Sequence, residues 1–282
     1  SSRRSRAADG CPPPPPVRLL PIDPATAYHA PVIHSLRFTS GYPTGLPEIR
    51  RRTFRFGDRI NIVFGPNGAG KTTMLGALAG AAGCGAGGWS DTSFVLDADA
   101  SLEGAAEPSV VTVDHSTDDY ALEMTWDERP LFYQDCYDHS ETSFLQDGYL
   151  ESREFLRSTG EKRIGLVNEL ITNAEERFLT YKLPREVRPT LALDEIDNHI
   201  GFAGQAVLWG EIIPHLSKKY QLIVSTHSVF PLLLRRDNLQ RTDVLLELSE
   251  GYARQCLNEL AHAIDYYNEH GDGSQAIPGD AF

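Results

Sequence analysis

Cysteine is scarce in this chain of 282 residues. Only Cys11, Cys84, Cys136 and Cys256 occur, far apart and without a CxxC pair. That excludes a disulfide-stapled scaffold and a zinc site of the usual spacing, and it fits reduced thiols in a reducing compartment. Long apolar runs are lacking too: none approaches the roughly 20 residues that span a bilayer. The opening stretch, "SSRRSRAADGCPPPPP", has no apolar core of signal-peptide type. The expectation is a cytoplasmic protein with no membrane association. Basic residues are rare in the middle of the chain. Residues 91–160 hold 17 Asp and Glu against Arg129, Arg153 and Arg157. Such a segment repels phosphate backbones, which excludes general nucleic-acid binding there. Its acidity serves either solubility or docking of a basic partner.

What is present is globular. The chain is 41% hydrophobic and 23% charged, with a net charge of −13, enough for one large domain or one plus a small lobe. Residues 1–30 are rich in Pro and Arg and read as a tail or linker, with Pro12 to Pro16 extended. One domain is expected over 31–270, then a loose end over 271–282. "IHSLRFTSG" and "RRTFRFGDRINIVF" read as strands, and a helix is predicted at Lys71–Ala82. "SFVLDA", "SVVTVD" and "YALEMTW" read as an antiparallel meander. Ile164, Val167, Leu170, Ile171, Ala174 and Phe178 recur at helical spacing. "TLALDE", "QLIVS" and "DVLLEL" read as buried strands, with helices over Phe202–Leu216 and Tyr252–Asn268. Alternating strands and helices predict an α/β fold: a mainly parallel sheet flanked by helices, with an antiparallel β insertion.

"GPNGAGKTT" carries the chemistry. It spans Gly65, Pro66, Asn67, Gly68, Ala69, Gly70, Lys71, Thr72 and Thr73, between an apolar strand and a helix. That context marks a phosphate-binding loop. Glycines let backbone N–H groups turn onto phosphates, and the helix N-terminus adds positive field. Lys71 suits the β- and γ-phosphates of ATP, and the Thr72 hydroxyl suits Mg²⁺. "TLALDEIDN" ends a buried strand on Asp194, a second candidate Mg²⁺ ligand, followed by Glu195, a candidate proton acceptor for an attacking water. Asp197, two residues on, is expected to reach a neighbouring subunit. His227 in "LIVSTHS" is placed to bond the γ-phosphate or hold the water. Gln134 in "PLFYQD" is a third candidate metal ligand.

Read in order, "GPNGAGKTT", Gln134, "RSTGEKR", "LALDEIDN" and "STHS" resemble the ABC-type ATPases over roughly residues 33–250, most closely the branch of SMC, RecF and OLD-like proteins. The resemblance implies a P-loop ATPase fold with a helical signature lobe over about 134–183. It also implies that Ser158, Gly160 and Glu161 contact ATP held by a second copy, so that ATP binding makes a head-to-tail homodimer. Phe38 and Tyr42 are the candidates for stacking on adenine. Only 23 residues separate Gln134 from Ser158, too few for coiled-coil arms, and 55 follow His227, too few for a nuclease domain. The leading expectation is therefore an ATPase that switches a separate effector, such as a nuclease or toxin in a bacterial defence or toxin–antitoxin-like system, or a DNA-repair factor. A RecF-like ATPase gripping DNA through the Arg50–Arg59 hairpin is the alternative. A transporter subunit is disfavoured, because the signature is not LSGGQ and no proline follows Glu195.

Overall fold

A computed structural model describes residues 32–84, 88–89, 110–134, 188–198, 200–233 and 244–270. The tail over 1–30, "SFVLDA", the signature residues Ser158, Gly160 and Glu161, the helix predicted after Gly160 and the C-terminal end lie outside these residues.

Two sheets form the frame. The first is antiparallel, in the order β2 (Phe54–Arg55), β1 (Ile33–Gly41), β6 (Tyr120–Trp126), β5 (Val111–Ser116). The second runs β10 (Val244–Glu247), β3 (Ile60–Phe64), β9 (Gln221–Thr226), β8 (Thr190–Asp194), β7 (Leu131–Gln134), β4 (Gly88–Trp89). All its pairings are parallel except β4 with β7.

Alternation along the parallel strands divides the core. Val63, Tyr133, Ala192 and Ile223 face helix α1 (Lys71–Ala81) and the antiparallel sheet. Ile62, Phe132, Leu193 and Val224 face the other cluster, which holds Leu208, Trp209, Ile212 and Ile213. Burial on both faces explains why these strands read as continuous apolar runs. α1 stops in a Schellman turn. Gly83 takes φ +71, its N–H reaches Gly80 O, and Cys84 N–H reaches Ala79 O.

The chain 202–216, predicted as one helix, is helical throughout but not uniform. Helix α2 (Phe202–Val207) passes into a π turn at Leu208–Ile212 and then into α3 (Ile213–Leu216). Helix α4 (Tyr252–His270) leans on the core near its start, through Tyr252, Ala253 and Cys256. "RRTFRFGDRINIVF" is also divided. Phe54–Arg55 joins the antiparallel sheet, and Ile60–Phe64 joins the parallel one. The bend between them is held by buried Asn61, whose Oδ1 accepts from Gly57 N–H at 2.6 Å.

Candidate nucleotide site

Four neighbouring parallel strands deliver the site. In register, Phe64 of β3 lies beside Thr226 of β9, Ser225 of β9 beside Asp194 of β8, and Leu193 of β8 beside Gln134 of β7. The phosphate loop, His227, the Asp194–Glu195 pair and Gln134 thus follow the C-terminal ends of consecutive strands, where open α/β sheets place their ligands.

The loop is shaped for close backbone approach. Gly70, which precedes α1, has φ +91, and a Cβ there would lie 2.7 Å from Ile49 Cδ1 and 2.8 Å from Leu46 Cδ1. Among the described residues no side chain caps the N-terminus of α1, and its first turn holds no acid. The end of this helix therefore keeps its positive field for an anion. Lys71 is 3% exposed. Its Nζ donates to Gly65 O at 2.9 Å and Pro66 O at 3.1 Å, and pairs with Glu195 Oε1 at 3.1 Å.

Glu195 sits on a backbone with φ +45, a conformation that costs a non-glycine residue about 1–3 kcal/mol and tends to mark functional sites. Two bonds hold it: its N–H donates to Ser225 O at 3.1 Å and Ser225 Oγ at 3.0 Å. The carboxylate faces both Lys71 and the Nδ1 of His227, at 3.6 Å. The His227 imidazole at that distance, with Lys71 behind it, depresses the Glu195 pKa to about 2. The same proximity to the carboxylate raises His227 above the ordinary imidazole value.

Asp194 is fully buried, and burial raises its pKa against the opposing effect of the Ser225 and Thr72 hydroxyls. Ser225 donates to its Oδ1, while Oδ2 completes no hydrogen bond among the described residues. A buried carboxylate oxygen left over beside a threonine hydroxyl suits a hard cation. No cluster of three His, Cys, Asp or Glu that could hold a metal occurs among the described residues. Mg²⁺ fits that donor set, because it takes one or two carboxylates and fills its shell with phosphate oxygens and water.

Some expectations change. Asp197 does not reach outward: it is 2% exposed, and its Oδ2 accepts from Trp209 Nε1 at 3.1 Å and Thr226 Oγ1 at 2.6 Å. Burial pushes its pKa up. The Arg50–Arg59 hairpin is not a uniform basic face. Arg52 donates to the carbonyls of Glu48, Glu247 and Leu248, and Arg59 to Ser217 Oγ. Both are structural. Phe38 is buried and packs edge-on against Tyr120, so it has no free face for adenine. Tyr42 is 64% exposed and lines a cleft of about 740 Å³ with Arg37, Thr39, Arg50 and Arg51. As a motif, "STHS" points to its histidine alone and hides the part of Ser225, which bonds Asp194 and Glu195. The signal for Ser225 was register: the hydroxyl residue that pairs with the acid at the end of β8.

The Glu195–His227 pair predicts a pH window. Glu195 contributes stability above its unfolded pKa and loses it as pH falls through about 2. His227 contributes fully below an unfolded value of about 6.5 and loses it as pH rises through its raised folded value. The melting-temperature gap between the native chain and His227→Ala should thus be widest near pH 5–6 and shrink toward pH 9. A gap that grows with pH contradicts the pairing.

A family model described as an AAA domain matches residues 45–223. No curated protein and no solved structure matches the chain. Among the described residues, no helix is long and apolar enough to cross a membrane.

Proposed function

The chain belongs to the AAA domain family, and from that premise we propose that it binds ATP with Mg²⁺ on Gly65–Thr73 and hydrolyses it at Glu195. The observation that carries this reading is the meeting of Lys71 Nζ with Glu195 Oε1 at 3.1 Å, which joins the phosphate loop to the acid pair. Thr72 and Asp194 would hold Mg²⁺, with Gln134 as a further ligand. Held there, the ion would supply positive charge against the negative charge that grows on the phosphates during transfer.

The chain's own groups divide the rest. Lys71 exchanges the Gly65 and Pro66 carbonyls for phosphate oxygens. That exchange takes its charge away from Glu195. A carboxylate with a pKa of about 2 is a poor base, and losing the ammonium raises its basicity when a water must be deprotonated. His227 orients that water or bonds the terminal phosphate. The exposed Tyr42 ring stacks on the base.

The proposal extends to a pair. Ser158, Gly160 and Glu161 of one copy complete the site of the other, and the resulting dimer switches a separate effector protein, such as a nuclease or toxin of a defence system. The resemblance to arm-less ABC-type ATPases supports this part. Calorimetric titration with ATP and Mg²⁺ tests the core reading. Lys71→Ala should weaken binding about a hundredfold, which is about 2.7 kcal/mol. No binding heat and no phosphate release from the native chain would sink the proposal.

A further inference from the structure

His227 stands between two residues that are both tied down. Thr226 Oγ1 donates to Asp197 Oδ2 at 2.6 Å and accepts from Ser228 N–H at 2.8 Å. Ser228 Oγ in turn donates to Gln205 Oε1 at 2.6 Å. Gln205 Nε2 donates to Ile200 O at 3.0 Å, and Ile200 N–H to Asp197 O at 3.2 Å. The bonds close a ring through three segments: the chain after the acid pair, the end of β9, and α2. Trp209 Nε1 adds a second link from the helical segment, at 3.1 Å to Asp197 Oδ2.

We infer that α2 and the π turn after it position His227 against Glu195, with Gln205 acting through Ser228, and Trp209 through Asp197 and Thr226. These are positioning residues, because His227 itself faces Glu195 and lies half-exposed. Stability alone does not explain the ring. Asp197 is buried and its Oδ1 finds no partner among the described residues. An under-satisfied buried carboxylate is costly, and apolar residues of similar size often serve stability as well or better. The π turn at Leu208–Ile212 points the same way. Such turns are rare and collect at functional sites, and this one carries Trp209. Gln205 and Trp209, four residues apart, share one side of the helical segment, so a single rigid element reaches both flanks of His227.

The inference rests on the ATPase reading for its purpose but not for its first readout. Trp209→Phe deletes the indole donor and keeps most of the bulk. Ser228→Ala cuts the tie to Gln205. In the nucleotide-free protein with labelled histidine, the His227 imidazole signal is identified by its loss in His227→Ala. In both variants it should move toward the position of solvent-exposed histidines. Under ATP turnover, kcat should fall about tenfold to a hundredfold, the usual effect of misplacing a group by about an ångström, while KM changes less than about twofold. The double variant should fall short of the product of the two single losses, because both arms act on one histidine. Gln205→Leu repeats the test should Ser228→Ala melt early. An unmoved His227 signal with native kcat in folded variants overturns the inference. So does a kcat loss that only follows the unfolded fraction. A shifted signal in a protein that never turns over ATP upholds the positioning and defeats the ATPase reading.

Discussion

Glu195→Gln should stop turnover and leave the chain gripping ATP. The substitution keeps the shape of the side chain and removes its charge. A glutamine cannot take a proton from water, and losing a positioned general base costs about 10²–10⁴ in rate. Binding should not suffer. The Lys71 ammonium now lies among Gly65 O, Pro66 O and the Glu195 carboxylate. ATP must pull it from that ion pair, and the amide holds it less firmly. ATP should therefore bind at least as tightly, and steady-state phosphate release should vanish. Size measured by light scattering should shift to twice the monomer mass with ATP and revert when ATP is removed. Ser158→Arg should do the reverse: ATP still binds to the monomer, but no dimer forms. A Glu195→Gln chain that hydrolyses ATP at the native rate would overturn the assignment of the base. One that stops hydrolysis yet stays monomeric would overturn the dimer while keeping the base.

The ion pair gives this variant a second signature. Glu195 is the main reason that His227 holds its proton beyond the usual pH. In the glutamine variant the imidazole should titrate lower, which separates a lost base from a misfolded site.

The elements nearest the chemistry were the most legible. Thr190–Asp194 and Gln221–Thr226 announce themselves because a strand covered on both faces has only apolar choices for most of its length. The phosphate loop is legible because its glycines answer a local demand, as the positive φ at Gly70 shows. The role of Asp197 was not legible. Its acid in "DEIDN" looks like its neighbours, and only the fold brings Trp209 and Thr226 over it. The place of Arg52 in the Arg50–Arg59 stretch is hidden for a similar reason. Three consecutive arginines suggest an exposed basic face, but two of the third's three carbonyl partners lie about 195 residues away along the chain. Local patterns report what a residue needs from its neighbours in sequence. They are silent about contacts that exist only after the sheets meet.

The join between the sheets supplies the second large effect. Gln221 opens β9 in the parallel sheet, yet its side chain serves the other one. Oε1 accepts from Ile33 N–H at 2.9 Å and Thr190 Oγ1 at 2.8 Å. Nε2 donates to Ile33 O at 2.9 Å and Gly57 O at 2.8 Å. The amide thus pairs with Ile33 as a neighbouring strand would, and it ties β1 to β8 and to the bend before β3. Gln221→Leu fills nearly the same volume and strips this partner from Ile33 N–H, Ile33 O and Thr190 Oγ1, while Gly57 O keeps its bond from Asn61 Nδ2 at 3.1 Å. Each buried polar group without a partner costs about 1–3 kcal/mol, so the total should be about 3 kcal/mol or more. At about 2–4 °C per kcal/mol for a domain of this size, the melting temperature should drop by about 10 °C or more. Gln221→Glu separates hydrogen bonding from bulk: it keeps the acceptors, loses the Nε2 donors and buries a charge, and should be no better tolerated than leucine. If Gln221→Leu melts within a degree or two of the native chain, the sheets are joined by apolar packing alone. In that case Val32, Ile33 and Leu36, fully buried at the seam, would carry the junction without it.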